Sequence, residues 1–230
     1  TSSSTMVYDG PFKINKWTGS NLNWNMTKNK DYWDKKAVKL QKINFSVDKS
    51  TNTSYNLYQS GKLDFTKLSV EQAKQLSNKK GYQVFKMAQT TYLEYNQKHK
   101  VFQNKKIRQA ISYAINRKQL ASKVLGNGNE PAKGLTSTGL MSYKGKDFAN
   151  DAYSGGTGTS YNKAKAQKLL KEGLKETGQK KLTFSILGDD TDISKNLTDY
   201  LQSSIEQTLP NVKVNTTNVP FKTRLSRSAS

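Results

Sequence analysis

Asp189, Asp190 and Asp192 stand together in GDDTD, residues 188–192, and three carboxylates this close could bind calcium. An EF-hand loop spreads its ligands over about twelve residues and ends in a bidentate Glu, and that spacing is absent. The cluster stands just ahead of a helical pattern, where acidic side chains cap free amides and meet the positive end of the dipole. Capping is the expected role. His99 is the single histidine, and the chain has no cysteine. An ordinary transition-metal site needs further His or Cys ligands, so no metal is expected. A Ser-His-Asp set would have to use His99 as its base, in a lysine-flanked loop with no partner in sight. Glu94 has no second carboxylate to work with. SGGTGTS, residues 154–160, is rich in glycine. It lacks the Lys-Ser/Thr pair of a phosphate-cradling loop, and it is expected to be a surface loop. With no nucleophile–base pair and no metal or cofactor signature, the expectation is a binding protein, not an enzyme.

KNKDYWDKKAVKLQKINF, residues 28–45, sets Tyr32 and Trp33 among lysines. This could be a basic face with stacking aromatics for nucleic acid, or a pair of core anchors in a protein that is lysine-rich for another reason. The chain has 38 basic against 17 acidic residues and a net charge of +21. Only Arg108, Arg117, Arg224 and Arg227 are arginines, although nucleic-acid readers favour that planar fork. The lysines are spread along the chain, which suits a cationic coat in anionic surroundings such as a cell wall or lipid headgroups. A lysine-driven nucleic-acid or polyanion binder is the alternative. The absence of cysteine excludes disulfides and thiolate chemistry. Hydrophobic residues make up 33%, and mean hydropathy is −0.83. The 12 Tyr, 8 Phe and 3 Trp still suffice for compact cores. No apolar run approaches the ~20 residues that span a bilayer. Thr1 begins in a polar stretch with no signal-peptide pattern, so the sequence reads as cytosolic, as a mature chain, or as a piece of one.

The elements that would position these residues follow from periodicity. PFKINKW and LNWNM alternate apolar and polar residues around the turn TGSN, which predicts a hairpin with Leu22, Trp24 and Met26 on its buried face. KINFSV repeats the pattern. Residues 51–62 predict a short helix closed by Gly61, and Ser69 with Gln72 predicts a capping box opening a second. LDFTKL, YQVFKMA and TTYLEYNQ, residues 63–68, 82–88 and 90–97, read as strands, and residues 99–106 as a loop. A helix is predicted over 107–126, with Ile107, Ala110, Ile111, Ala114 and Ile115 in one stripe and Gly126 at its end. Residues 126–160 read as a long loop. A helix over 161–178 buries Leu169, Leu170 and Leu174. KLTFSILG, a helix from Asp192 with Ile193, Leu197, Leu201, Ile205 and Leu209 inward, and VKVNTTNV form a strand–helix–strand unit that predicts a parallel crossover. FKTRLSRSAS opens a last helix.

The succession GPFKINKW, KNKDYWDKKAVKLQKI, NLYQSGKLDF, YLEYNQ…FQNKKIRQAISYAINRKQL, GNGNEPAKGL and YNKAKAQKLLKEG resembles the extracytoplasmic solute-binding proteins of ABC transporters, in particular the oligopeptide-binding family of Gram-positive type. The likeness extends over nearly the whole chain. It implies an α/β, periplasmic-binding-protein-like type II fold, with mixed sheets and helices in two lobes, present here in part. Residues 1–89 would be part of lobe I, Gln89–Tyr92 a crossover, and residues 90–230 most of lobe II. The family's Gly-Trp…Asp motif for the peptide's amino end would lie beyond Ser230, so the sequence is expected to be a fragment carrying part of the cleft. The implied partners are oligopeptides and a membrane permease, with no nucleic acid. The implied location is extracellular, at the outer face of the cytoplasmic membrane, with membrane attachment only through a lipid anchor that lies outside this fragment. Thr91, Tyr92 and Asn96, with Tyr95, are the residues the resemblance brings to the peptide. Tyr32 and Trp33 become a packed lobe-core pair, Gly10 and Pro11 set the turn into the hairpin, and Arg108 and Arg117 tie helix ends.

Overall fold

The structure is a computed structural model that describes residues 2–126, 128–153 and 158–228. The chain divides into two compact units, Thr1–Thr66 and Lys67–Ser230. This boundary precedes the crossover expected at residues 89–92.

The first unit is built on an antiparallel sheet of β1 (Phe12–Asn15), β2 (Asn23–Lys28) and β3 (Lys42–Ser46), in that order. The predicted hairpin is present, with Ile14 opposite Met26 and Met26 opposite Ile43. Its turn is closed by Asn21, whose Oδ1 accepts from the Thr18 amide at 2.8 Å while its Nδ2 donates to the Lys16 carbonyl at 2.8 Å. Trp24 lies flat on Phe45, with ring centroids 4.0 Å apart and planes 5° apart, as a cross-strand pair. Leu22 does not join this face: it precedes β2 and is 50% exposed. Helix α1 (Thr51–Gln59) starts at Ser50, whose hydroxyl accepts from the Thr53 amide at 3.4 Å, and ends at Gly61, where φ is +71°. Among the described residues, no apolar side chain of this unit is fully buried.

The second unit holds the main core. Helix α2 (Val70–Leu76) opens on the predicted capping box of Ser69 and Gln72. Residues 63–68, 82–88 and 90–97 run without regular secondary structure and form no ladder among the described residues, contrary to the three strands expected. Alternation reports which face of a segment is buried. A strand also needs a neighbour, and periodicity cannot show one. The loop expected at 99–106 contains helix α3 (Lys100–Gln103) and the start of α4 (Lys105–Ala114), because the Asn104 side chain accepts from the Ile107 amide at 3.2 Å and caps α4 earlier than the apolar stripe suggests. The long helix expected over 107–126 is interrupted. Ile115 is extended, and the Asn116 carboxamide accepts from the Gln119 amide at 3.1 Å, restarting the chain as α5 (Arg117–Gln119). A π-helical turn, Leu120–Leu125, then runs to Gly126, where φ is +51°. Asn competes for backbone amides, and here its cap wins over helix continuation.

The long loop expected over 126–160 is partly ordered. A two-residue hairpin of β4 (Ser142–Tyr143) and β5 (Lys146–Asp147) turns through Lys144 and Gly145, both at positive φ. Helix α6 (Phe148–Ala152) follows, capped by Asp147. Helix α7 (Lys163–Glu176) buries Leu170 and Leu174, with Leu169 packed on the core. Strands β6 (Leu182–Asp189) and β7 (Val212–Val219) pair in parallel across helix α8 (Asp192–Thr208), as the crossover pattern predicts. Leu201, Ile205 and Leu209 are buried, whereas Ile193 is 44% exposed in the first turn of α8. Helix α9 (Phe221–Ser228) ends the described chain. The core is one cluster joining α4, α7, α8 and the β6–β7 pair.

Candidate functional site

The candidate residues lie on the segment Thr90–Gln97, and the core determines which of them it presents. Leu93 and Tyr95 turn inward and pack on the main cluster, while Thr91, Tyr92, Glu94 and Asn96 are exposed. This is the alternation of an extended backbone with one face buried. The Tyr95 ring is tilted against Phe102 at 5.4 Å, and Phe102 meets Phe184 edge-on at 5.6 Å. The Tyr95 hydroxyl donates to the Arg108 carbonyl at 3.3 Å. Burial pushes its phenol up to about 12, although Arg117 and Arg108 act in the opposite direction. Tyr95 therefore fixes the segment from behind, and Thr91, Tyr92 and Asn96 are the members open to a ligand.

The ends of the segment are tied. The hydroxyls of Thr90 and Ser137 are hydrogen-bonded at 3.0 Å. At the other end Asn96 makes a turn into α3: its Oδ1 accepts from the Lys98 amide at 3.0 Å and its carbonyl from the His99 amide at 3.2 Å. Gln103 Nε2 donates to the Gln97 carbonyl at 2.9 Å. Between these ties Thr91–Asn96 has no regular secondary structure and carries no ladder among the described residues. A segment whose backbone groups are in no ladder can add a strand from a bound chain.

The arginines behave as structural ties. Arg108 donates to the carbonyls of Phe102 at 2.6 Å and Gln103 at 3.0 Å. Arg117 donates to the carbonyls of Ser112 at 2.9 Å and Thr159 at 2.8 Å, and to the Ser112 hydroxyl at 3.0 Å. Burial lowers the pKa of its guanidinium, the cost of holding a cation among neutral carbonyls. Arg224 pairs with Asp189 at 2.6 Å.

Other candidates resolve differently from expectation. In GDDTD, the cap of α8 is Thr191, which accepts from the Ser194 amide at 3.3 Å; Asp192 lies in the first turn, and Asp189 is taken by Arg224. His99 occupies the cap position of α3, makes no side-chain cap bond and is exposed. In SGGTGTS, residues 154–157 lie outside the described residues; the carbonyl of Gly158 accepts from the Ser112 hydroxyl at 2.8 Å. Tyr32 and Trp33 are not a packed pair, because Trp33 is 84% exposed with its ring tilted 52° to Tyr32. The anchor of that stretch is Asn29, 1% exposed, whose Nδ2 donates to the Gly10 carbonyl at 2.9 Å while its Oδ1 accepts from the Asp31 amide at 3.1 Å. A shallow depression of about 420 Å³ lies between α2 and the π-helical turn, bordered by Lys74, Tyr82, Ser122 and Asn129; nothing in the sequence pattern pointed to it.

Comparison with known proteins shows the family of the chain. A family model described as bacterial extracellular solute-binding proteins, family 5 Middle, matches residues 1–230. A dipeptide-binding protein of Lactococcus lactis is 39% identical over 98% of this chain and 43% of its own length. The dipeptide-binding protein DppE of Bacillus subtilis is 31% identical over 88% of this chain and 38% of its own length. Among solved structures, Listeria monocytogenes OppA bound to peptide matches with a TM-score of 0.87 and 38% identity, over 98% of this chain and 45% of that one. The pheromone receptor PrgZ matches with a TM-score of 0.85 and 34% identity, over 98% and 45%. The chain thus spans less than half the length of these relatives.

Proposed function

Because the chain belongs to family 5 of the bacterial extracellular solute-binding proteins, we propose that it forms part of the peptide-capturing component of an ABC importer. In this reading the intact protein takes up extracellular oligopeptides, performs no chemistry on them and delivers them to a membrane permease. The observation that carries the proposal is the tethered segment Thr91–Asn96, in no ladder among the described residues and alternating in burial, in a chain with the fold of a peptide-bound relative. The peptide's amides and carbonyls meet main-chain groups of this segment, as in strand addition. Thr91, Tyr92 and Asn96 contribute side-chain contacts, and Tyr95 keeps the segment from yielding. The assignment of residues 1–89 to one lobe and 90–230 to the other, lobe closure as the signal to the permease, and a lipid anchor at the outer face of the membrane belong to the same proposal.

No observation favours a nucleic-acid surface. Arg108, Arg117 and Arg224 are spent on carbonyls and a carboxylate of the chain itself. Titration calorimetry of the intact protein against short peptides tests the proposal. Saturable one-to-one binding with peptides recovered intact is expected; silence across a broad peptide library, or cleavage of the peptides, overturns it.

A further inference from the structure

Thr90 opens the candidate segment, and its hydroxyl is hydrogen-bonded at 3.0 Å to that of Ser137, 47 residues further along the chain. Both residues are half-buried. Ser137 stands in a turn closed by the Leu140 amide, which donates to the Ser137 carbonyl at 3.3 Å. A hydroxyl pair positions a segment only if one partner is itself fixed.

Helix α6 fixes Ser137 from both of its caps. At the first cap, Asp147 Oδ2 accepts from the Gly139 amide at 2.7 Å while its Oδ1 accepts from the Asn150 amide at 2.9 Å. These two amides keep its carboxyl below the usual carboxylate range. Gly139 takes a φ of +79°, a conformation that a side chain would oppose. The Met141 carbonyl accepts from the Phe148 amide at 2.9 Å. At the last cap, the Tyr153 phenol accepts from the Thr136 amide at 3.4 Å and donates to the Thr136 hydroxyl at 3.5 Å. Gly134 lies against the Tyr153 ring, where a Cβ would collide with it. Ser137 is thus bracketed by Thr136 and Gly139, each bonded to a different end of the same helix. All of these contacts lie within the unit Lys67–Ser230.

We propose that Ser137 is a positioning residue for peptide capture: through its hydroxyl, the turn held by α6 fixes Thr90 and so presets the backbone on which Thr91 and Tyr92 meet a bound peptide. This role rests on the reading of Thr91–Asn96 as the peptide-contacting segment. Leu93 and Tyr95 fix the middle of that segment on the core, and Asn96 fixes its far end. The Thr90–Ser137 pair does the same at the near end. A segment fixed in advance loses less entropy when the peptide arrives, which raises affinity without adding a contact. Ser137 itself touches no peptide in this scheme.

The test is titration calorimetry of the intact protein with the tightest binder from a library of di- to hexapeptides. Ser137→Ala should weaken binding about three- to tenfold, the worth of one net hydrogen bond. Thr90→Val should weaken it by a similar factor, and the double variant by no more than either alone, because the same bond is lost in all three. Ser137→Thr keeps the hydroxyl and should bind as the parent does. Asp147→Asn has one acceptor oxygen where two amides need one each, and it should weaken binding from outside the candidate segment. An unchanged circular dichroism spectrum verifies the fold of each variant. A parent silent across the library overturns the reading of the protein, and this role with it. With a parent that binds, four outcomes overturn the role alone: Ser137→Ala as tight as the parent, Ser137→Thr as weak as Ser137→Ala, single losses that multiply in the double variant, or an Asp147→Asn affinity equal to the parent's.

Discussion

Gly173 offers a sharp test of the packing that supports the candidate segment. It lies within α7 and faces α4. On propensity alone, Gly173→Ala should stabilise the helix by about 1 kcal/mol. The packing argues the other way. A Cβ at this position would meet Ile107 Cγ1 at 2.6 Å, Asn104 Oδ1 at 3.1 Å and the Ile107 amide nitrogen at 3.2 Å. Ile107 is fully buried, and the Asn104 oxygen is the cap of α4, so neither can yield without cost. Overpacking costs about 1–3 kcal/mol, and a weakened cap adds up to about 1. Together these exceed the propensity gain, and a net loss of roughly 1–2 kcal/mol is expected, seen as a fall of about 3–6 °C in the thermal midpoint by circular dichroism. Ile107→Ala alone should cost about 2–5 kcal/mol by leaving a cavity. In the double variant the new methyl occupies part of that cavity, so the two losses should fall short of additive by about 1 kcal/mol or more. A Gly173→Ala protein more stable than the parent, or strict additivity, refutes the close α4–α7 contact.

The buried phenol of Tyr95 gives a pH signature. Its folded pKa of about 12 lies above the ordinary value near 10, so the unfolded chain ionises first, and the stabilisation present below pH 10 is lost as pH rises through 12. Two units correspond to about 2.7 kcal/mol. Tyr95→Phe should be less stable by about 1 kcal/mol at pH 8, for want of the bond to the Arg108 carbonyl, and the order should reverse above about pH 11 in urea titrations. Arg117→Lys should cost about 1–3 kcal/mol and speed amide exchange at Asn162, because an ammonium cannot span the Ser112 and Thr159 carbonyls as the fork does. Asn29→Ala should cost about 1–3 kcal/mol in unfolding of the Thr1–Thr66 unit, since it leaves the Gly10 carbonyl and the Asp31 amide unpaired in a buried site.

Elements whose information is local were legible in the sequence. The β1–β2 hairpin, the capping box at Ser69, the stripe of α7 and the parallel β6–β7 pair all appear where period and cap residues put them. What local pattern missed depends on competition or on distant partners. The break at Ile115–Asn116 is held by carbonyl acceptors: Ser204 donates to Ala114 at 2.9 Å, and Tyr200 donates to Asn116 at 3.0 Å, from residues more than 80 positions away. The expected strands at 82–88 and 90–97 show the alternation or apolar content of strands but lack the neighbour that makes one. In the candidate site, the resemblance carried by the order of motifs is what singled out the Thr91–Asn96 segment. Which of its side chains face the core followed only from the cluster around Phe102, and Asn29 escaped notice because a buried Asn among lysines carries no periodic signal.

Hydrogen exchange of the Thr91–Asn96 amides tests strand addition most directly. With the intact protein saturated by a peptide whose binding has been verified calorimetrically, those amides should exchange at least about tenfold more slowly than in the free protein, while amides on the exposed face of α7 stay unchanged. Unaltered exchange across Thr91–Asn96 at full occupancy would contradict the account.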